Sequence, residues 1–116
     1  MNWILVFIGG GMGSMLRYFI AQQLVQSKHF PWATLVSNVF ATALLALLVM
    51  YLKYGDKPAW LLPLVGVGFC GGFSTFSTFS AENVQLIDQG QWVLLAVNVI
   101  LSIGGGIGVF VAFTKL

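Results

Sequence analysis

Four long apolar runs make up most of this chain, and each opens on one of its four tryptophans. They cover residues 3–25, 32–52, 60–87 and 92–113. A helix needs about 20 apolar residues to cross a hydrocarbon core of about 30 Å. Each run is long enough, and the third is too long for one straight helix. Tryptophan collects at the membrane–water boundary, where its ring is half wet. One tryptophan at the head of each run is therefore an independent count of four spans. Only 7% of the residues are charged, against about 25% in a soluble domain. The connectors, residues 26–31, 53–59 and 88–91, leave no room for a second unit. The expectation is an all-α integral membrane protein, with residues 1–116 forming one four-helix transmembrane domain.

The same composition excludes several classes. A net charge of +2 makes no case for nucleic acid. Cys70 is the only cysteine, so there is no intrachain disulfide. The start, Met1-Asn2, lacks the basic region of a cleavable signal. No Ser–His–Asp set or metal-ligand cluster is visible, and the only histidine, His29, falls in a connector, so no enzyme is expected.

The third run carries the most unusual stretch. Residues 68–80 read Gly-Phe-Cys-Gly-Gly-Phe-Ser-Thr-Phe-Ser-Thr-Phe-Ser. Gly71 and Ser74 lie roughly 16–21 Å past Trp60 at helical rise, near the bilayer centre. The glycine pair lowers helix propensity by about 1 kcal/mol per residue, and the hydroxyls after it compete for backbone groups. The pattern predicts a third helix broken near its middle. Carbonyls freed there must be buried, meet water or bind a cation. Helix packing by the glycines is the other reading. Phe73, Phe76 and Phe79 form one slowly turning stripe, and Ser74, Ser77 and Ser80 another. Phenylalanine edges are electron-poor and suit an anion, although spacing alone favours plain packing for each ring.

Polar residues at membrane depth need partners or a function. Asn38 lies about 9 Å into the second span, with Thr34 one turn before it and Ser37 beside it. Asn98 and Ser102 repeat the spacing in the fourth. An amide and hydroxyls donate hydrogen bonds without carrying charge, which suits a dehydrated anion as well as contacts between helices. Arg17 reads as an anion attractor or a paired, snorkelling arginine. Glu82 reads as a proton relay or as the partner of Arg17 or Lys28.

Lys53, Lys57 and Lys115 fall on the side of the termini, and Lys28 and Arg17 on the other. The positive-inside rule hardly discriminates three from two. The count fits either weak orientation with the termini inside or dual topology, with antiparallel copies. Gly9, Gly13, Gly104 and Gly108 match the spacing that brings helices close in lipid, within one protomer or between two.

Taken together, these residues resemble the Fluc (CrcB-type) fluoride channels of bacteria over the whole length. Residues 68–80 with Glu82 resemble the family's G-x-C-G-G-x-[ST]-T-F-S-T-F-S-x-E signature. The glycine-rich segment Gly9-Gly10-Gly11-Met12-Gly13-Ser14 with Arg17-Tyr18 is similar to its first helix, and Thr34-Leu35 with Asn38 to its G-T-L-x-x-N segment. Ala33 and Ala41 depart from family glycines, and Asn98 from a family tyrosine. The resemblance implies passive, selective export of F⁻ across the bacterial inner membrane by a dual-topology dimer with two pores. It implies Phe76 and Phe79 as pore-lining edges and Asn38 as a donor. Thr34, Ser102, Ser77 and Thr78 would extend the path. It further implies a structural Na⁺ at the dimer centre, held by the carbonyls of Gly71 and Ser74, with Arg17 and Glu82 as vestibule or supporting residues. The partners would be fluoride, membrane lipid and an antiparallel second copy, or a related chain in the opposite orientation. Two rivals differ in class. A small multidrug-type exporter needs an acid in the first span, which this chain lacks. A non-transporting assembly subunit would use the glycines only for packing.

Overall fold

The computed structural model describes residues 2–24 and 30–115. Lys28 and His29 lie outside the described residues. Five helices follow in order: α1 Asn2–Gln23, α2 Trp32–Leu52, α3 over residues 62–73, α4 Phe76–Asp88 and α5 Trp92–Lys115. In α3 a wide, π-type run, Leu62–Cys70, leads into a single α turn, Gly71–Phe73. Four segments are long and apolar enough to cross a membrane: Asn2–Gln23, Trp32–Leu52, Leu62–Asp88 and Trp92–Lys115. The protein is thus a multi-pass membrane protein, and no strand occurs among the described residues.

Local chemistry sets the ends. Helices α2 and α5 begin on Trp32 and Trp92 themselves. Pro63 sits in the first turn of α3, where its missing N–H has no intrahelical partner to lose. Helix α4 stops at a glycine. Gly90 takes φ 71°, its amide donates to the Ile87 carbonyl, and the Gln91 amide donates to the Leu86 carbonyl. This is a Schellman closure, which needs a left-handed residue at Gly90.

The molecule is a slab of 51 × 32 × 20 Å, in which α1 lies along α3 while α2 lies along α5. The first pairing rests on glycine. A methyl group at Gly9 would stand 2.9 Å from the Phe69 amide nitrogen and closer still to the Leu64 carbonyl. One at Gly13 would stand 2.8 Å from the Phe73 amide nitrogen. The two backbones touch directly, as small residues permit in a lipid-embedded pair. Gly104, Gly105 and Gly108 on α5 behave differently, with no atom in range of an added methyl. The glycine stripe of the first span therefore serves the protomer itself, and that of the fourth faces outward.

Candidate functional site

Helical geometry stops at Phe73 and resumes at Phe76. Ser74 takes φ −89°, ψ 158° and Thr75 φ −154°, ψ 119°. Gly71 and Gly72, expected to be where the helix opens, are helical instead. Their lack of side chains serves approach: a methyl at Gly72 would run into the Gly10 carbonyl of α1. The extended residues lie just after the pair.

Backbone groups at the end of a helix at membrane depth must find partners, and several of them do. The Cys70 carbonyl accepts from the Ser74 amide at 3.0 Å and from its hydroxyl at 2.8 Å. The Gly72 carbonyl would serve Phe76 in a continuous helix. Here it accepts from Arg17 Nε at 3.0 Å and from Ser14 Oγ at 3.4 Å. The Thr75 amide donates to Asn38 Oδ1 at 2.8 Å, and the Thr75 carbonyl accepts from Asn38 Nδ2 at 3.4 Å. Thr75 Oγ1 caps α4 by accepting from the Thr78 amide at 3.2 Å. The same oxygen lies 3.2 Å from both Ser77 Oγ and Thr78 Oγ1.

Arg17 is thus tied to the end of α3 and does not pair with Glu82. Glu82 lies beside the Thr34 hydroxyl. Its Oε1 is buried with no hydrogen-bond partner among the described residues.

Beside the extended residues lies a groove of about 280 Å³, where Asn38, Thr42, Ser74, Thr75, Phe76, Phe79, Ser102 and Ile103 meet. It brings together Asn38, Phe76, Phe79 and Ser102 from the candidate path. Ser77 and Thr78 join it only through Thr75. Thr34 is 6% exposed and stands apart, beside Glu82. The Phe76 and Phe79 rings lie 6.1 Å apart at 44°. Phe76 is 80% exposed, whereas Phe73 is 5% exposed and lies tilted against Phe69. Phe73 is therefore core, and the two rings after it border the groove. A second hollow of about 200 Å³, lined by Gly66, Cys70 and Gly71, shares Thr42 and Ser74 with the groove.

Thr42 and Thr75 line the groove without standing out in the sequence, and Asn83 supports it from behind through Asn98 and Ser102. Thr42 lies one turn past Asn38, continuing the Thr34–Asn38 spacing, and its hydroxyl donates to the Asn38 carbonyl at 2.8 Å. Thr75 was hidden inside the repeat. Asn83 holds Asn98: Asn98 Nδ2 donates to Asn83 Oδ1 at 2.7 Å. Ser102 Oγ in turn donates to Asn98 Oδ1 at 3.3 Å. The signal for Asn83 was available, since an amide at this depth needs a partner. Among the described residues no cluster of His, Cys, Asp or Glu forms a metal centre.

The profile of the CrcB-like family (CrcB-like protein, Camphor Resistance) matches residues 4–114. The chain belongs to this family. Among similar proteins, the fluoride-specific ion channel FluC 1 of Frankia casuarinae is 41% identical over 116 residues, covering 93% of this chain and 89% of the relative. FluC 2 of Streptococcus pneumoniae is 38% identical, over 88% of this chain and 83% of its own length. The FluC of Pyrococcus abyssi is 40% identical, over 86% and 82%.

Proposed function

We propose that the protein is a passive, fluoride-selective channel of the cell membrane, a conductor and not an enzyme. The observation that carries this reading is the groove in which Asn38, Phe76, Phe79 and Ser102 converge on a helix interruption. The CrcB-like relatives named as fluoride-specific channels support the choice of ion.

The chemistry suits a small anion shedding water. Neutral donors replace hydration without trapping the ion, as a fixed positive charge would. Asn38 Nδ2 gives one proton to Thr75 and keeps a second for the groove. Thr75 donates its hydroxyl to Thr78, which leaves the proton of Thr78 uncommitted. The ring edges of Phe76 and Phe79 add a weak positive rim.

The conducting form would be a dimer of antiparallel copies. Its support is the outward glycine stripe of α5, the 80% exposure of Phe76 and the nearly balanced charge at the two ends. A second copy would close a groove that one protomer leaves open. A related chain in the opposite orientation meets the same requirements.

A structural sodium ion fits the residues around the interruption. The Cys70 and Gly72 carbonyls are taken by partners within the protomer. The Thr75 amide, which would serve Gly71 in a continuous helix, goes to Asn38. That leaves the Gly71 carbonyl free of its helical donor, with Gly71 exposed. Gly71 and Ser74 are the residues that would hold the ion, a hard cation suited to hard oxygen ligands. Its charge would offset converging carbonyl dipoles.

Growth tests the reading in cells. Expression in a bacterium stripped of its own fluoride exporters is expected to restore growth in fluoride medium. A protein that reaches the membrane and gives no protection would contradict the proposal.

A further inference from the structure

At the end of the slab opposite the Asn98–Asn83 pair, the last turns of α2 and α5 and the first residue of α3 enclose a cleft of about 610 Å³. Its walls include Val49, Leu62, Phe110 and Val111, and its rim carries Lys53 and Lys115. The size falls within the range of small-molecule sites, about 300–1,000 Å³. Among the described residues no acidic side chain lines it. Thr114, also at the rim, donates its hydroxyl to the Phe110 carbonyl at 2.7 Å, so only the two ammonium groups remain as strong donors. Lys57 does not join them; its Nζ sits 3.9 Å over the Tyr51 ring.

We infer that this cleft is a site for one anionic phospholipid. The headgroup phosphate lies between Lys53 and Lys115, and the start of an acyl chain follows the apolar wall. Three features point to this occupant. The cleft lies where membrane-crossing helices end, at headgroup depth. Two cations without a carboxylate are complementary to a net negative headgroup and repel the choline of a zwitterionic one. The apolar wall gives a free phosphate nothing and gives a lipid tail its contact. Basic pockets between spans at this depth are suited to anionic headgroups, each lysine adding several-fold in affinity. The long aliphatic stems of the lysines let their charges sit in the headgroup layer while the stems cover apolar surface.

Native mass spectrometry of the detergent-purified protein tests the site, with dioleoylphosphatidylglycerol, dioleoylphosphatidylcholine and inorganic phosphate as probes. The expected result is retention of phosphatidylglycerol well below the concentration at which phosphatidylcholine is retained, with no competition from inorganic phosphate. In Lys53→Gln/Lys115→Gln that retention should weaken roughly 30-fold. Val111→Trp keeps both charges, fills the cleft and should also lose the lipid. Equal retention of the two lipids, or unchanged binding in the double variant, would overturn the inference. So would full competition by phosphate, which would make the site one for a free anion. A double variant that keeps its lipid but loses dimer would show that a second copy covers the cleft.

Discussion

Asn38 binds both backbone polar groups of Thr75, accepting from its amide at 2.8 Å and donating to its carbonyl at 3.4 Å. One side chain of α2 thereby replaces the helical partners that an extended residue has given up. The same amide lines the groove. Structural and proposed conducting roles thus coincide in one residue, and they are separable by substitution.

Asn38→Ala leaves a part-buried amide and carbonyl without partners, at a cost of about 1–3 kcal/mol. A lower melting temperature in detergent and loss of fluoride flux are expected together. Asn38→Asp keeps the acceptor and removes the donor. It should recover part of the stability and none of the flux, because a carboxylate repels the anion. A variant with full flux would remove Asn38 from the path.

The phenylalanines should divide by burial. Phe73→Ala empties a core position and should cost about 3–5 kcal/mol, seen as poor yield or aggregation on size-exclusion chromatography. Phe76→Ile touches a ring that is 80% exposed. It should leave the melting temperature of the protein nearly unchanged and cut flux. Unchanged flux in both Phe76→Ile and Phe79→Ile would remove the ring-edge argument.

Asn98 is 1% exposed and bonded to Asn83. Truncating one amide strands the other, so Asn98→Leu and Asn83→Leu should each destabilise. The double variant should be less damaged than the sum of the two, because unpaired buried polar groups, more than lost bonds, carry the cost. Strict additivity in thermal denaturation would contradict the pairing.

The glycines should divide in the same way. Gly13→Ala drives a methyl into the Phe69–Phe73 backbone and should prevent folding. Gly104→Ala and Gly108→Ala meet open space in the protomer. They should fold and weaken only dimerisation, read by crosslinking in membranes. Normal dimers in both would place the partner surface elsewhere.

Much of this was legible in the sequence because lipid imposes strict rules. Runs of apolar residues headed by Trp32 and Trp92 give spans whose starts fall on those residues. Polar residues at depth give Asn38 and Ser102, both of which reach the groove. What stayed hidden depended on which neighbour each group meets. The Gly71–Gly72 pair looked like the place where helix fails. Its propensity cost is outweighed by the approach of Gly72 to Gly10, and the extended residues follow at Ser74 and Thr75. Arg17 had two readings in sequence, and only the folded chain shows its hold on the Gly72 carbonyl. The depth of Asn83 calls for a partner, but only the meeting of α4 with α5 supplies Asn98 as that partner.

Passive fluoride conduction can be read with a fluoride electrode. Purified protein is reconstituted into liposomes loaded with potassium fluoride, and potassium permeability is supplied by an ionophore. Rapid release of fluoride on ionophore addition is expected, with no release from matched vesicles loaded with chloride. Fluoride release no faster than from protein-free vesicles would contradict fluoride conduction.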